Sequence, residues 1–202
     1  PPHTNTHSHH TPLLNFIKLN YFSLQFTPRT SIVFNKLNHI VGKAKSIAIN
    51  SSIYQNAGAN MVQQLAYGIA HANEYFNYFE NNSYNINSIE MNFNVAIGTN
   101  YFFEIAKLRA LRLLFNVLAA EYQFKVNLKI NATPTKRNKT LYDYNTNMLR
   151  TTTECMSAIL GGVDTITNLP YDAIYHKDNE FGERIARNQL LILKHESYFG
   201  KV

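Results

Sequence analysis

The sequence predicts an α/β fold, and three observations carry that prediction. Strand-like runs begin near residues 46, 91, 126 and 163, each is followed by a helical run, and the spacings suit parallel strands with crossover helices. Two architectures use this rhythm, the doubly wound sheet and the (β/α)8 barrel. No strand is followed by G-x-G-x-x-G or by a P-loop, which weakens the nucleotide-binding sheet. Four units fall short of a closed barrel, which takes about 250 residues.

Residues 1–45 form a poorly defined N-terminal segment. His3, His7, His9 and His10 stand among Thr, Asn and Pro without periodicity, a composition that suits a flexible terminus better than a metal tract. Pro12 and Pro28 interrupt the apolar residues that follow. From Ser46 the pattern becomes regular. Ser46–Ile53 reads as a strand through Ile47, Ile49 and Ile53, and a loop leads to a helix with Val62, Leu65, Ala66, Ile69 and Asn73 on one stripe. Met91, Phe93, Val95 and Ile97 alternate with Asn92, Asn94 and Ala96, the period of a strand. Asn100 suits the cap of a helix over Tyr101–Tyr122 that is apolar around most of its circumference. A third strand runs through Val126, Leu128 and Ile130. Its helix spans Leu141–Leu160 and stops at Gly161-Gly162. A fourth strand falls at Val163–Leu169, and a last helix over Glu180–Phe199 buries Phe181, Ile185 and Ile192.

Composition excludes several classes of function. With 45% hydrophobic and 16% charged residues the chain is too apolar to be disordered throughout. One cysteine, Cys155, rules out an intramolecular disulfide framework and suits a reducing, cytoplasmic setting. No apolar run approaches the roughly 18 residues of a membrane span. The net charge of +6 comes from basic residues spread along the chain, which does not make a nucleic-acid footprint.

Chemistry in either architecture gathers at the carboxyl ends of the strands, so four loops matter. The first, Ser51–Asn56, offers Tyr54 and Gln55 but no acid, base or thiol. The second, Gly98–Asn100, offers Asn100. The third, Asn131–Thr140, holds Asn131, Lys136, Arg137 and Lys139, which could bind a phosphate or an acidic surface or simply be solvated. The fourth holds Asp172, His176, Asp178, Glu180 and Glu183, whose spacing matches no zinc or calcium template. Asp178 and Glu180 suit the positive end of the last helix. Glu104 and Lys107 read as a helix pair on a solvent-facing edge with Arg109 and Arg112. Cys155 reads as packing. These residues form no evident catalytic set and no metal site.

Three stretches nevertheless carry a resemblance. Tyr54-Gln55-Asn56-Ala57-Gly58-Ala59, Gly98-Thr99-Asn100-Tyr101-Phe102-Phe103-Glu104-Ile105-Ala106-Lys107-Leu108-Arg109-Ala110 and Asn145-Thr146-Asn147-Met148-Leu149-Arg150-Thr151-Thr152-Thr153-Glu154-Cys155-Met156 resemble the methylmalonyl-CoA mutase family. The likeness resumes at Phe181-Gly182-Glu183-Arg184-Ile185-Ala186-Arg187-Asn188 and covers residues 46–202. It implies that 46–202 is the C-terminal half of a TIM (β/α)8 barrel of acyl-CoA mutase type. It further implies an adenosylcobalamin-dependent isomerisation of methylmalonyl-CoA to succinyl-CoA.

Departures from the family are equally informative. Its active chains carry Tyr-His-Met-Gln-Glu-Ala-Gly-Ala, and here Ile53 and Tyr54 stand in place of the His and Met. Glu90 stands where active chains have an Arg implicated in CoA binding, and Lys129–Arg137 lacks the His, Gln and Trp of Arg-Thr-His-Ser-Gln-Thr-Ser-Gly-Trp. Ile53 cannot donate to a thioester carbonyl, and Glu90 would repel CoA phosphates. The cobalamin motif Asp-x-His-x-x-Gly is absent, since Ile174 precedes His176 by two. This pattern resembles the small, non-catalytic subunit, with acyl-CoA bound by a large catalytic partner and the cobalamin not held by this segment alone. Barrel-mouth candidates for binding are Tyr54, Gln55, Asn100, Asn131, Lys136 and Arg137. The alternatives are a divergent, active acyl-CoA mutase and, more remotely, a nucleic-acid-binding module on the Lys136–Lys139 loop.

Overall fold

Alternation of apolar and polar residues builds the sheet, and serines, asparagines and glycines decide where its strands stop. A computed structural model of the chain describes residues 46–83, 90–177 and 179–201, all within the compact unit Lys45–Val202. The four N-terminal histidines, Pro12, Pro28 and Asp178 lie outside the described residues. The elements are β1 (Ser46–Asn50), α1 (Ser52–Asn56), α2 (Met61–Asn81), β2 (Glu90–Ile97), α3 (Tyr101–Glu121), β3 (Asn127–Pro134), α4 (Thr146–Leu160), β4 (Thr165–Ile166) and α5 (Glu180–His195), followed by a 3₁₀ turn at Phe199–Lys201.

The four strands pair in parallel and lie in chain order, β1-β2-β3-β4. That order separates the two candidate architectures. A doubly wound sheet reverses its strand order at a switch point, whereas successive barrel strands simply follow one another. Each long helix packs on the next, α2 on α3, α3 on α4 and α4 on α5. The side chains agree. Ile47, Ile49, Met91, Phe93, Leu128 and Ile130 are buried, while Asn92, Asn94, Lys129, Asn131 and Thr133 on the other face are half-buried. One covered and one polar face, in unbroken strand order, make an α/β arc of barrel type. Among the described residues no helix is long and apolar enough to cross a membrane.

Element boundaries moved where local hydrogen bonds compete with the ladder. The first strand ends at Asn50, and Ile53 sits in the short helix α1 with half its surface exposed. Ser51 causes this: its N–H and its hydroxyl both donate to Asn94 O, at 3.0 and 3.1 Å, and close the strand. The α2 stripe is displaced too. Asn60 and Gln63 form a reciprocal capping box, and the buried face runs through Ile69, Ala72, Phe76 and Phe79, leaving Val62 exposed. The helix expected from Leu141 begins at Thr146, because the Thr146 hydroxyl and N–H both donate to Asp143 O and hold the preceding residues as turns. It does stop at Gly161, where a Cβ would lie 2.4 Å from Leu108 Cδ1.

The fourth strand shortens to Thr165–Ile166, its pairing extended by Asp164 N–H to Ile130 O and Thr167 N–H to Ala132 O. Pro170, without an N–H, cannot prolong that ladder. On α5 the buried residues are Gly182, Ala186 and Leu193; Phe181 and Ile192 are exposed and Ile185 is half-buried. Small residues bring this helix close, with the Gly182 Cβ position only 2.7 Å from Asp172 Oδ1. The N-cap of α5 is Asn179, accepting from Gly182 N–H at 2.7 Å, with Glu180 and Glu183 in the first turn.

Candidate functional site

The carboxyl ends of β1, β2 and β3 open into a cleft of about 610 Å³. α1 brings Gln55 to it, the Gly98–Asn100 turn brings Asn100, the first turn of α3 brings Phe103 and Glu104, and the loop after β3 brings Arg137 and Asn138. Three of the six candidates, Gln55, Asn100 and Arg137, therefore line one cavity. Asn100 occupies the N-cap position of α3, yet its side chain makes no cap bond. Gln55 is buried at 7% exposure, and its Oε1 has no hydrogen-bond partner.

The other three candidates stand apart from the cleft lining. The Tyr54 hydroxyl shares a 2.5 Å hydrogen bond with His71 Nε2 and its ring packs 5.0 Å from Tyr67. Burial raises the Tyr54 phenol and lowers the His71 imidazole, so both favour their neutral forms. Asn131 lies on the polar face of β3, where its Nδ2 donates to Asn94 Oδ1 at 3.2 Å and its Oδ1 accepts from the Thr167 hydroxyl. Lys136 is exposed on the loop, and its N–H donates to Asn56 Oδ1.

The largest correction concerns charge. Glu104 and Lys107 are not a solvent edge but a buried ion pair of 2.5 Å, their side chains 1% and 5% exposed. Lys107 Nζ also donates to Gln64 Oε1 and to Ala96 O, each at 2.9 Å, so its donors tie α2, β2 and α3 together beneath the cleft. Burial lowers the lysine despite the upward pull of Glu104. A second buried pair joins Lys139 to Glu154 at 2.6 Å, with Asn138 Nδ2 on the other carboxylate oxygen. There burial lowers the lysine and raises the carboxyl, against the stabilising pull of each on the other. The sequence does hold a signal for the first pair. A helix apolar around most of its circumference has little solvent edge on which to place Glu104 and Lys107.

Remaining reactive groups are occupied or inert. Cys155 is buried, and burial pushes its thiol up to about 12, as expected of a packing residue. Arg109 and Arg112 donate to the Leu160 and Gly162 carbonyls at the end of α4. His176 pairs with the buried Asp172 at 3.2 Å, and Asn179 Nδ2 donates to the same carboxylate oxygen. Among the described residues no group of His, Cys, Asp and Glu could hold a metal ion. Asp172 and His176 are four residues apart and bonded to each other, so this pair among the described residues does not fit the role of a cobalt ligand.

Comparison with known proteins places this geometry. The chain matches the methylmalonyl-CoA mutase family over residues 9–202. It is 42% identical over 161 residues to the methylmalonyl-CoA mutase small subunit of Porphyromonas gingivalis, covering 76% of this chain and 26% of that protein. It is 35% identical over 166 residues to the methylmalonyl-CoA mutase of Rhizobium meliloti, covering 79% and 23%. With the small subunit of Propionibacterium freudenreichii subsp. shermanii it shares 32% over 165 residues, covering 79% and 26%. The chain thus spans about a quarter of the length of these curated relatives. By fold, by motif and by similarity over most of its length, this chain belongs to the methylmalonyl-CoA mutase family.

Proposed function

We propose that the chain is part of a methylmalonyl-CoA mutase small subunit, a non-catalytic barrel segment that supports a large catalytic subunit. The observation that carries this reading is the chemistry of the cleft wall. Among the described residues that line it, the one carboxylate, Glu104, is locked to Lys107, and the one other charged group, Arg137, is a cation without proton-transfer chemistry at neutral pH. Ile53, in place of the family's histidine, offers no hydrogen bond. Glu90 is exposed at the start of β2, where a carboxylate opposes phosphate binding.

In this reading residues 46–202 are the partial barrel and 1–45 a separate leading segment. Acyl-CoA is bound by the large subunit. Adenosylcobalamin supplies radical chemistry to the complex but is not held by this segment, and the complex is cytoplasmic. The candidate residues Gln55, Asn100 and Arg137 shape the cleft, whereas Tyr54, Asn131 and Lys136 support or flank it.

Assembly tests the proposal. Co-expressed with a mutase large subunit, the full chain is expected to co-purify at a one-to-one ratio and to raise the thermal midpoint of its partner. Failure to associate, with both chains folded, would overturn the subunit reading.

A further inference from the structure

We propose that the outer face of α3 is a self-association surface whose occupant is the same helix of a second copy of this chain. The inference concerns a contact separate from the one with a large subunit and does not rest on that reading.

Helix α3 has two apolar faces. The inner one packs on the sheet and the neighbouring helices through Leu108, Leu111 and Phe115, none more than 3% exposed. On the opposite side run Phe102, Ala106, Arg109, Leu113, Val117 and Ala120, spaced by four, three, four, four and three residues. At 3.6 residues per turn they fall within about 40° of one line along the helix. All six are exposed, Phe102 by 78%, Leu113 by 68% and Val117 by 40%. A helix apolar around its whole circumference belongs in an interior, and the outer helix of a barrel ordinarily turns a polar face to water. The neighbours α2 and α4 pack on α3 without covering this line. Its one charged member, Arg109, donates from Nη2 to Leu160 O at 3.1 Å, which anchors the guanidinium at the end of α4.

The order of side-chain sizes selects the occupant. Two copies of the stripe set antiparallel about a two-fold axis at the level of Leu111 place Phe102 over Ala120 of the second copy. Ala106 then comes beside Val117, and Leu113 beside the aliphatic stem of Arg109. Large side chains meet small ones, and every pairing occurs twice, as an isologous contact requires. A parallel arrangement would instead stack Phe102 on Phe102 and set Arg109 against Arg109. Charge favours the antiparallel arrangement as well. Glu121, the last residue of α3, comes level with Tyr101 at the amino end of the other helix, where a carboxylate is stabilised. A single helix pair about 27 Å long buries less than the roughly 1,200 Å² of a standard interface, so the association is weak and concentration-dependent.

The test is sedimentation velocity of the purified full chain over about a hundredfold range of concentration reaching about 1 mM. A reversible monomer–dimer equilibrium is expected. Leu113→Lys sets an ammonium beside Arg109 of the other copy and should weaken association by about tenfold or more, and Phe102→Ala by about tenfold. Leu191→Lys makes the same apolar-to-cation change on α5, 46% exposed and away from the stripe, and should shift the equilibrium by less than about twofold. Thermal melts of the dilute variants verify that each is folded. A monomer at every concentration, undiminished association in Leu113→Lys, or an equal loss in Leu191→Lys would overturn the proposal. Co-purification with the large subunit separates the two contacts. Leu113→Lys that loses self-association and keeps the large subunit upholds the proposal. Loss of the large subunit in Leu113→Lys, with wild type monomeric by itself, would give the stripe to that partner and overturn the second copy as its occupant.

Discussion

On β2, Phe93 meets Phe115 edge-on at 5.8 Å and packs over the Cα of Gly68, all of it apolar and closed to water. A few residues along the same strand, Ala96 O accepts from an ammonium group that is equally buried. The wall and the mouth of this arc are thus held by opposite means. In the wall, burial of aromatic and aliphatic surface stabilises the fold directly. At the mouth, two lysine–glutamate pairs lie out of water, and their mutual attraction must first offset a desolvation penalty of several kcal/mol per ion. The difference teaches that mouth geometry is fixed by charge networks, which are directional, rather than by packing alone. The rim cations Lys136 and Arg137 complete the contrast, because nothing in the described residues holds their side chains.

The contrast breaks most severely at Lys107. Replacing it by Met strands the Glu104 carboxylate, and an expected loss of about 3–5 kcal/mol should appear in the urea midpoint. The double variant Lys107→Met, Glu104→Leu should recover most of that loss, as removal of both buried charges does. If the single variant were as stable as wild type, the network would not hold the mouth. In the wall, Gly161→Ala forces a Cβ toward Leu108 and Ser157 O and should cost about 1–3 kcal/mol by overpacking. A thermal-melt comparison with wild type checks it.

A smaller effect should appear at Asp164, at the amino end of the sheet. Burial pushes its carboxyl up, but the Ile130 N–H, Arg112 and the charge on Lys129 together bring it below the usual value. A depressed carboxylate contributes stability that is present above the unfolded pKa of about 3.9 and is lost as pH falls through the folded value. Asp164→Asn should therefore cost about 1 kcal/mol at neutral pH and flatten the acid limb of a stability–pH profile. An unchanged acid limb would remove Asp164 from the account. Smallest of all, Lys136→Ala should leave the unfolding midpoint within about 0.5 kcal/mol of wild type, since its side chain touches no partner.

The same contrast explains what was legible in the sequence. Period-two alternation at Met91–Ile97 reports a face covered by helices, and burial follows it except at Ala96, which is buried as well. Gly161-Gly162 ended the helix as expected: Gly162 takes a positive φ of 78°, and Leu108 leaves no room for a side chain at Gly161. The family motifs, read from residues and order alone, agreed with the similarity found over most of the chain. Helix faces were harder. On α5 the core contact is made by Gly182, Ala186 and Leu193, so small residues took the positions that hydrophobicity assigned to Phe181 and Ile192. At the mouth, Gln55, Asn100 and Arg137 came from separate segments after three strands, which only strand pairing brings together. Glu104 and Lys107 were recognised as a pair but placed in solvent. Three-residue spacing reports contact along a helix and says nothing about the Gln64 and Ala96 groups that make burial tolerable.

The central functional claim is that this mouth, with the only carboxylate among its described lining residues locked in an ion pair, does not carry out the family's chemistry by itself. Turnover of methylmalonyl-CoA by the purified full chain with adenosylcobalamin, in the absence of a large subunit, addresses it most directly. The result expected is no succinyl-CoA above the protein-free control, with formation appearing once the large subunit is added. Succinyl-CoA formed by the chain alone, at a rate proportional to its concentration, would contradict the account.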